Sequence, residues 1–223
     1  MPRPWETLET VDTPEGPLQL RQRDEGDFLI TVGGRVLMNS LASRSEQVLG
    51  QLGCEGLATH PAPRVLLGGL GMGCTLRAAL DTLPPRARVT VVELNPVIER
   101  WCRGPLAALT NRALDDPRVQ VVQDDVAAFL RGCAPGCFHA LLLDLYEGPH
   151  EATQGRQDPF YGPRALDQYR RVLAPGGLLA VWAEETDRAF ERRLVGSGFE
   201  VRLLRPGRGG RRHAVYLGRR PAG

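Results

Sequence analysis

Three glycines and a series of carboxylates carry the chemistry available to this sequence. Arg64-Val-Leu-Leu-Gly-Gly-Leu-Gly-Met-Gly73 reads as a strand entering a glycine turn, and Val89-Thr-Val-Val-Glu93 as the next strand, ending in an acid. Gly69, Gly71 and Gly73 allow a sharp turn and a close backbone approach to a ligand. Glu93 lies 20 residues after Gly73, where a carboxylate accepts hydrogen bonds from both hydroxyls of a ribose. Each signal has a plainer reading, since glycine turns can be purely structural and Asn95-Pro96 makes Glu93 part of a helix start. Together, after a strand and at this spacing, they predict a nucleoside-bearing cofactor.

Further acids follow the next strands. Asp124 and Asp125 follow Val119–Gln123. Asp125 either caps a helix over 126–131 or bonds the amino group of an adenine, and the second role is the expectation. Asp144 ends the apolar run Ala140-Leu-Leu-Leu143. A carboxylate leaving an apolar strand for a cleft is partly desolvated, so its pKa can be tuned for accepting a proton; a turn-capping role is the alternative. Tyr146 and Glu147 follow, then a loop over 147–163 that is long enough to act as a lid. Its Asp158, Phe160 and Tyr161 either face a substrate or, for the two aromatics, pack beneath the lid.

The elements that must position these residues are legible as alternating strands and helices. Strands are predicted at Val65–Leu67, Val89–Glu93, Val119–Gln123, Ala140–Asp144 and Leu178–Trp182. Helices are predicted at Thr75–Leu83, Pro96–Ala108, Val126–Arg131 and Pro163–Val172. Such alternation implies a parallel sheet with helices on both faces, and uniformly apolar strands fit burial on both sides. A helix over Asp187–Gly196 and a hairpin of Phe199–Leu204 with His213–Gly218 close the pattern. The expected class is α/β: a Rossmann-like, seven-stranded, mostly parallel sheet with a C-terminal antiparallel hairpin. Residues 1–60 form a separate small region. Leu18–Arg21, Phe28–Val32 and Arg35–Met38 are strand-like, Gly33-Gly34 is a hairpin turn, and a linking helix runs over about Ser43–Leu57. The predicted division is 1–60 and 61–223.

Composition narrows the function. The chain has 223 residues, 42% hydrophobic and 24% charged, with a net charge of +2, so no global field argues for nucleic acid or membrane. Arg205, Arg208, Arg211 and Arg212 cluster on the last hairpin without interleaved aromatics, which reads as a solvated tip in preference to a nucleic-acid patch. The five cysteines are scattered, and Cys133-Ala-Pro-Gly-Cys137 with His139 lacks a second ligand pair, so no metal is expected. With no apolar run of membrane-span length and no signal-peptide core at Met1–Glu6, the expected location is cytoplasmic.

Between Leu18 and Trp182 the chain resembles the spermidine synthase (polyamine aminopropyltransferase) family of the class I AdoMet-binding fold. Gly68-Gly69-Leu-Gly71-Met-Gly73 is similar to its glycine motif, and Val92-Glu93-Leu-Asn-Pro-Val97-Ile98 to its ribose-binding motif. Asp116-Pro-Arg-Val119 with Asp125-Val-Ala-Ala-Phe-Leu130 resembles its adenine side, and Asp144-Leu-Tyr-Glu147-Gly-Pro149 its catalytic segment. Leu173-Ala-Pro-Gly-Gly177 resembles the turn before its fifth strand. The resemblance implies displacement at a sulfonium carbon, with Gly69, Gly71, Gly73, Glu93 and Asp125 binding the nucleoside. Asp144 would orient or deprotonate the acceptor and Glu147 would hold a second cationic centre. It also allows a homodimer through the β region.

Two departures set the leading expectation. Family members carry an aspartate in the glycine turn that binds the ammonium of decarboxylated AdoMet; here Leu70-Gly71 occupies that region. Losing an anion there favours intact AdoMet, which bears a carboxylate. The family's Tyr-His pair after the β region is replaced by Arg44-Ser45-Glu46. The leading expectation is therefore methyl transfer from S-adenosyl-L-methionine to a small-molecule or peptide nucleophile. The alternatives are aminopropyl transfer from decarboxylated S-adenosylmethionine and a non-catalytic nucleoside-binding scaffold.

Overall fold

The computed structural model describes residues 3–146, 148–153, 155, 157–206 and 213–222. Four strands, β1 (Glu6–Thr13), β2 (Gly16–Arg23), β3 (Asp27–Val32) and β4 (Arg35–Asn39), form an antiparallel meander in that order. Gly33 and Gly34 both have positive φ, as the tight turn between β3 and β4 requires. The first strand was not expected. Glu6-Thr-Leu-Glu-Thr-Val-Asp-Thr13 is mostly polar and exposed, because it is an edge strand with little to bury. It is fastened by Glu9, whose carboxylate accepts from Trp101 Nε1 at 2.7 Å and pairs with Arg100.

The second sheet has seven strands in the order β10-β11-β9-β8-β5-β6-β7. They are β5 (Arg64–Gly68), β6 (Arg88–Glu93), β7 (Val119–Gln123), β8 (Phe138–Leu143), β9 (Leu173–Ala183), β10 (Glu200–Leu204) and β11 (Ala214–Arg219). Strands β5 to β9 are parallel, and β11 runs antiparallel between β9 and β10. This is the expected mostly parallel sheet with a closing hairpin. Strand β9 starts earlier than predicted. It leaves the preceding helix directly at Leu173, and the Pro-Gly-Gly segment is an irregularity within the strand, with Gly176 at φ +74°.

Six helices cover the sheet: α1 (Arg44–Cys54), α2 (Cys74–Thr82), α3 (Pro96–Arg103), α4 (Val126–Gly132), α5 (Pro163–Val172) and α6 (Arg188–Gly196). Their starts follow capping chemistry: Asn95 accepts from Val97 N, Asp125 from Ala128 N, and Asp187 from Ala189 N and Phe190 N. Helix α3 is shorter than predicted. It stops before Gly104, whose backbone leaves the helical region, and the chain continues as a short 3₁₀ turn. Alternate residues of each strand feed two apolar layers. Val65 and Leu67 pack with Leu49, Leu76 and Trp101 on one face; Leu66 packs with Leu130, Tyr169, Phe190 and Tyr216 on the other. No helix among the described residues is long and apolar enough to cross a membrane.

The chain order turns around at β5, which has β6 on one side and β8 on the other. Connections therefore leave in opposite directions at this point, opening a crevice at the carboxyl ends of β5 and β8, where ligands bind in such sheets.

Candidate functional site

The glycine turn after β5 is built for close approach. Gly69 sits at φ +83° and its N–H donates to Val92 O at 2.9 Å; a methyl in place of its hydrogen would collide with the Asp144 carbonyl oxygen. Gly71 has its own tight neighbour, the Met38 thioether of β4, so the small sheet lies directly over the turn. Gly73 precedes α2 at φ +81°.

Glu93, 8% exposed, ties this turn to β6. Its Oε2 accepts from Leu70 N and its Oε1 from Asn95 N, both at 2.8 Å. Burial pushes its carboxyl above the usual range, and the N–H donors of Asn95, Leu70 and Leu94 pull it back. Each oxygen keeps a lone pair for a ribose hydroxyl. Beside it, Leu94 is 69% exposed, an apolar platform suited to a flat base. Asp125 lies on the same side and caps α4 through Oδ1, at 2.8 Å from Ala128 N. The capping alternative is thus realised, with Oδ2 left for another partner. Leu70 and Met72 are both buried, so the turn between Gly69 and Gly73 presents no acid. A nucleoside fits these residues: a glycine cradle a Cβ would fill, a carboxylate with acceptor capacity, and an exposed apolar side chain.

Asp144 follows β8 on the other side of the crevice. Its backbone N–H donates to Gly68 O at 2.9 Å, which fixes it against the glycine turn. Its Oδ2 accepts from the Thr75 hydroxyl, in the first turn of α2, at 2.6 Å. Burial first, and then the Glu46 carboxylate, push its carboxyl up to about 7, against the Thr75 hydrogen bond. A carboxyl poised there can exchange a proton with a substrate at neutral pH.

Glu46, 7% exposed, arrives from α1. The buried face of α1 carries Glu46, Leu49, Gly50 and Gly53 at helical spacing. Gly50 lets α2 come so close that a methyl there would strike the Thr75 carbonyl oxygen. The same face therefore aims Glu46 at the junction of α2 and β8. Ser45 Oγ donates to Glu46 Oε2 at 2.6 Å and lies 2.8 Å from His213 Nδ1, just before β11. The single serine hydrogen is used on Glu46, so Nδ1–H of His213 is the donor of the second bond. The His213 ring meets Trp182 of β9 edge-on, centroids 5.0 Å apart. Cys74 lies close by, its thiol pushed up to about 11 by burial, with Glu46 and Asp144 adding to the rise.

The remaining expected residues lie on the approach. Tyr146 is exposed, with the Arg35 guanidinium 5.5 Å from its ring centroid. Asp158 Oδ1 accepts from Phe160 N and Tyr161 N, so the residue shapes its own loop. The Tyr161 ring packs in the core, 5.7 Å edge-on from Phe190, as the packing alternative has it. Its hydroxyl is buried with no hydrogen-bond partner among the described residues. Glu147 lies outside the described residues, as do Arg208, Arg211 and Arg212 of the basic hairpin. No cluster of His, Cys, Asp and Glu among the described residues could hold a metal ion. Sequence reasoning placed the glycines, Glu93 and Asp144 together, named Ser45 and Glu46 only as a departure from the resembled family, and passed over Thr75 and His213.

No family model matches the chain. Curated relatives do. A polyamine aminopropyltransferase of Mycobacterium tuberculosis is 38% identical over 124 residues, covering 55% of this chain and 23% of that protein. The chain is similar in sequence to polyamine aminopropyltransferases and in fold to spermidine synthases. Its described fold agrees with the crystal structure of spermidine synthase from Thermotoga maritima at a TM-score of 0.78 and 15% identity, over 97% of this chain and 74% of that one. Putrescine N-methyltransferase 4 of Nicotiana tabacum is 30% identical over 129 residues, 57% of this chain and 32% of that protein. The chain thus spans less than a quarter of the length of the first of these relatives.

Proposed function

We propose that this protein moves a group from the sulfonium of a nucleoside donor to an amine, and that the group is the aminopropyl of decarboxylated AdoMet. The observation that carries the reading is Asp144: a carboxyl at the crevice, pressed against the glycine turn, with its pKa near 7. The acceptor nitrogen attacks the carbon bonded to sulfur, the C–S electron pair leaves on sulfur as a neutral thioether, and the nitrogen's proton passes to Asp144. The sulfonium is already a good leaving group, so alignment and proton removal are what the protein must supply. Gly69, Gly71, Gly73, Glu93 and Asp125 would hold the nucleoside, with residues 61–223 as the catalytic body. Tyr146 and the 147–163 loop, including Glu147 and Asp158, would line the acceptor's approach.

The aminopropyltransferase names of the more similar relatives support this reading over methyl transfer, the leading expectation from the sequence. Methyl transfer from intact AdoMet stays as the second reading on one observation: Leu70 and Met72 leave the turn without an acid. Incubation with 1,4-diaminobutane and either donor, followed by mass spectrometry, separates the two. The expected product is the aminopropylated diamine. Methylated diamine from AdoMet alone would reverse the order, and nucleoside binding with no product from either donor would leave a scaffold.

A further inference from the structure

We propose that Cys133 and Cys137 are a redox-active pair that closes to a disulfide and fastens the end of α4 to the start of β8. The inference is independent of the transfer reading above. It takes up the Cys133-Ala-Pro-Gly-Cys137 segment, which the crevice chemistry leaves unused. Cys133 ends α4, and Cys137 directly precedes β8. Between them the chain reverses in a turn at Pro135-Gly136, with Gly136 at φ +65°. Proline second and glycine third is the order that suits a tight turn with a left-handed third residue. Two hydrogen bonds pin the reversal: Cys133 N donates to Leu130 O at 3.1 Å, and Gly136 N to Arg171 O at 2.9 Å.

Both side chains pack on the same apolar layer, and the Cys137 thiol is a hydrogen-bond partner of the Cys133 thiol. Both are half-buried, within reach of a small oxidant, whereas Cys54, Cys74 and Cys102 are buried. A metal fits the segment less well. His139, two residues on, uses Nδ1 to accept from Arg64 N at 3.0 Å, and no group of His, Cys, Asp and Glu among the described residues could hold an ion. Closure needs an oxidant, and a low-molecular-weight disulfide supplies it by exchange. One cysteine thiolate attacks a sulfur of the oxidant, forming a mixed disulfide and releasing the first small thiol. The second cysteine sulfur displaces the remaining small thiol, and the Sγ–Sγ bond forms. The two cysteine protons end on the two released thiols; the protein loses two electrons and the oxidant gains them. Burial, and then the neighbouring Cys137, push the Cys133 thiol up to about 11, against the pull of the Arg171 guanidinium. Since the thiolate is the nucleophile, Cys137 makes the first attack and Cys133 the resolving one.

The test is incubation of the full chain, under native conditions, with oxidised glutathione, followed by iodoacetamide labelling and mass spectrometry. The expected product is lighter by two hydrogens. Its tryptic peptide 132–156 should be unlabelled at both cysteines, with Cys54, Cys74 and Cys102 labelled only after denaturation. Glutathione retained on one cysteine of the pair beside a free thiol on the other, or a bond between two chains, would overturn the proposal. Cys133→Ser should stop at a glutathione adduct on Cys137, which the wild type resolves; an unmodified Cys137 there would overturn the order of attack. Oxidation of the wild type should raise Tm by roughly 4–8 °C, as closing a short loop does in a chain of this size, and reduction should reverse it. An unchanged or lowered Tm in the disulfide form would overturn the fastening of α4 to β8.

Discussion

The two ends of the parallel sheet treat charge in opposite ways. At the amino ends of β5, β6 and β7, Arg64, Arg88 and Arg118 line an open groove of about 450 Å³. Arg118 is paired with Asp116 at 2.7 Å and also donates to Leu83 O. The Arg118 guanidinium holds the Asp116 carboxyl below the usual range. At the carboxyl ends no cation among the described residues forms an ion pair with Glu93 or Asp144. Glu93 and Asp144 are pushed up by burial, and the Glu46 carboxylate pushes Asp144 further. One aspartate is paired with a cation and the other has only the Thr75 hydroxyl. The amino end is therefore the electrostatically quieter one, and the carboxyl end is where buried acids have raised pKa values.

The largest effect should come from Asp144. Asp144→Asn keeps the Thr75 hydrogen bond but cannot take a proton, so turnover should fall by ~10²–10⁴-fold. Nucleoside affinity measured by calorimetry should persist, and retention of most activity would place the proton acceptor elsewhere. Next is Glu93→Ala, which strands the buried Leu70 N–H and removes the ribose acceptor. At ~1–3 kcal/mol for an unsatisfied buried donor, nucleoside affinity should drop at least about tenfold. Wild-type affinity would separate Glu93 from the nucleoside.

A smaller effect lies in pH dependence. The proposed transfer needs ionised Asp144, so kcat/KM should rise with pH through about 7. Stability should run the other way. A carboxyl raised on folding contributes stability below its unfolded value of ~4 and loses it as pH climbs through its folded value. Asp144→Asn should therefore gain in Tm over wild type between pH 4 and 7, the difference levelling off above. A difference that shrinks across that window would mean Asp144 is not raised. The smallest effect is at the other end. Arg118→Ala should cost no more than about 1 kcal/mol in urea unfolding, a cost that fades at low pH as Asp116 protonates. It should leave turnover alone; a large loss of activity would dissolve the contrast between the two ends.

Much of the frame was readable because it depends on local pattern. Apolar strands alternating with capped helices specify a parallel sheet, and Asn95-Pro96, Asp125 and Asp187 each cap where local chemistry puts them. The glycine turn and Glu93 were readable for the same reason, being neighbours across one strand–helix–strand unit. Strand β1 was not, because a polar edge strand lacks the alternation that marks a half-buried one. The second acid of the site was not readable either. Ser45-Glu46 and His213 are unremarkable residues until β11 inserts between β9 and β10, and no local period encodes a contact of that span.

That insertion has a consequence for assembly. Strand β11 is an interior strand, so β10 has no partner in the sheet until residues 214–219 arrive. A nascent chain can fold β5 to β8 and shape the Gly69–Gly73 turn early. The contacts that hold residue 46 must wait for residue 213, a high-contact-order closure that comes late in folding. During synthesis, then, the Gly69–Gly73 turn should be in place before the surroundings of Asp144 are complete.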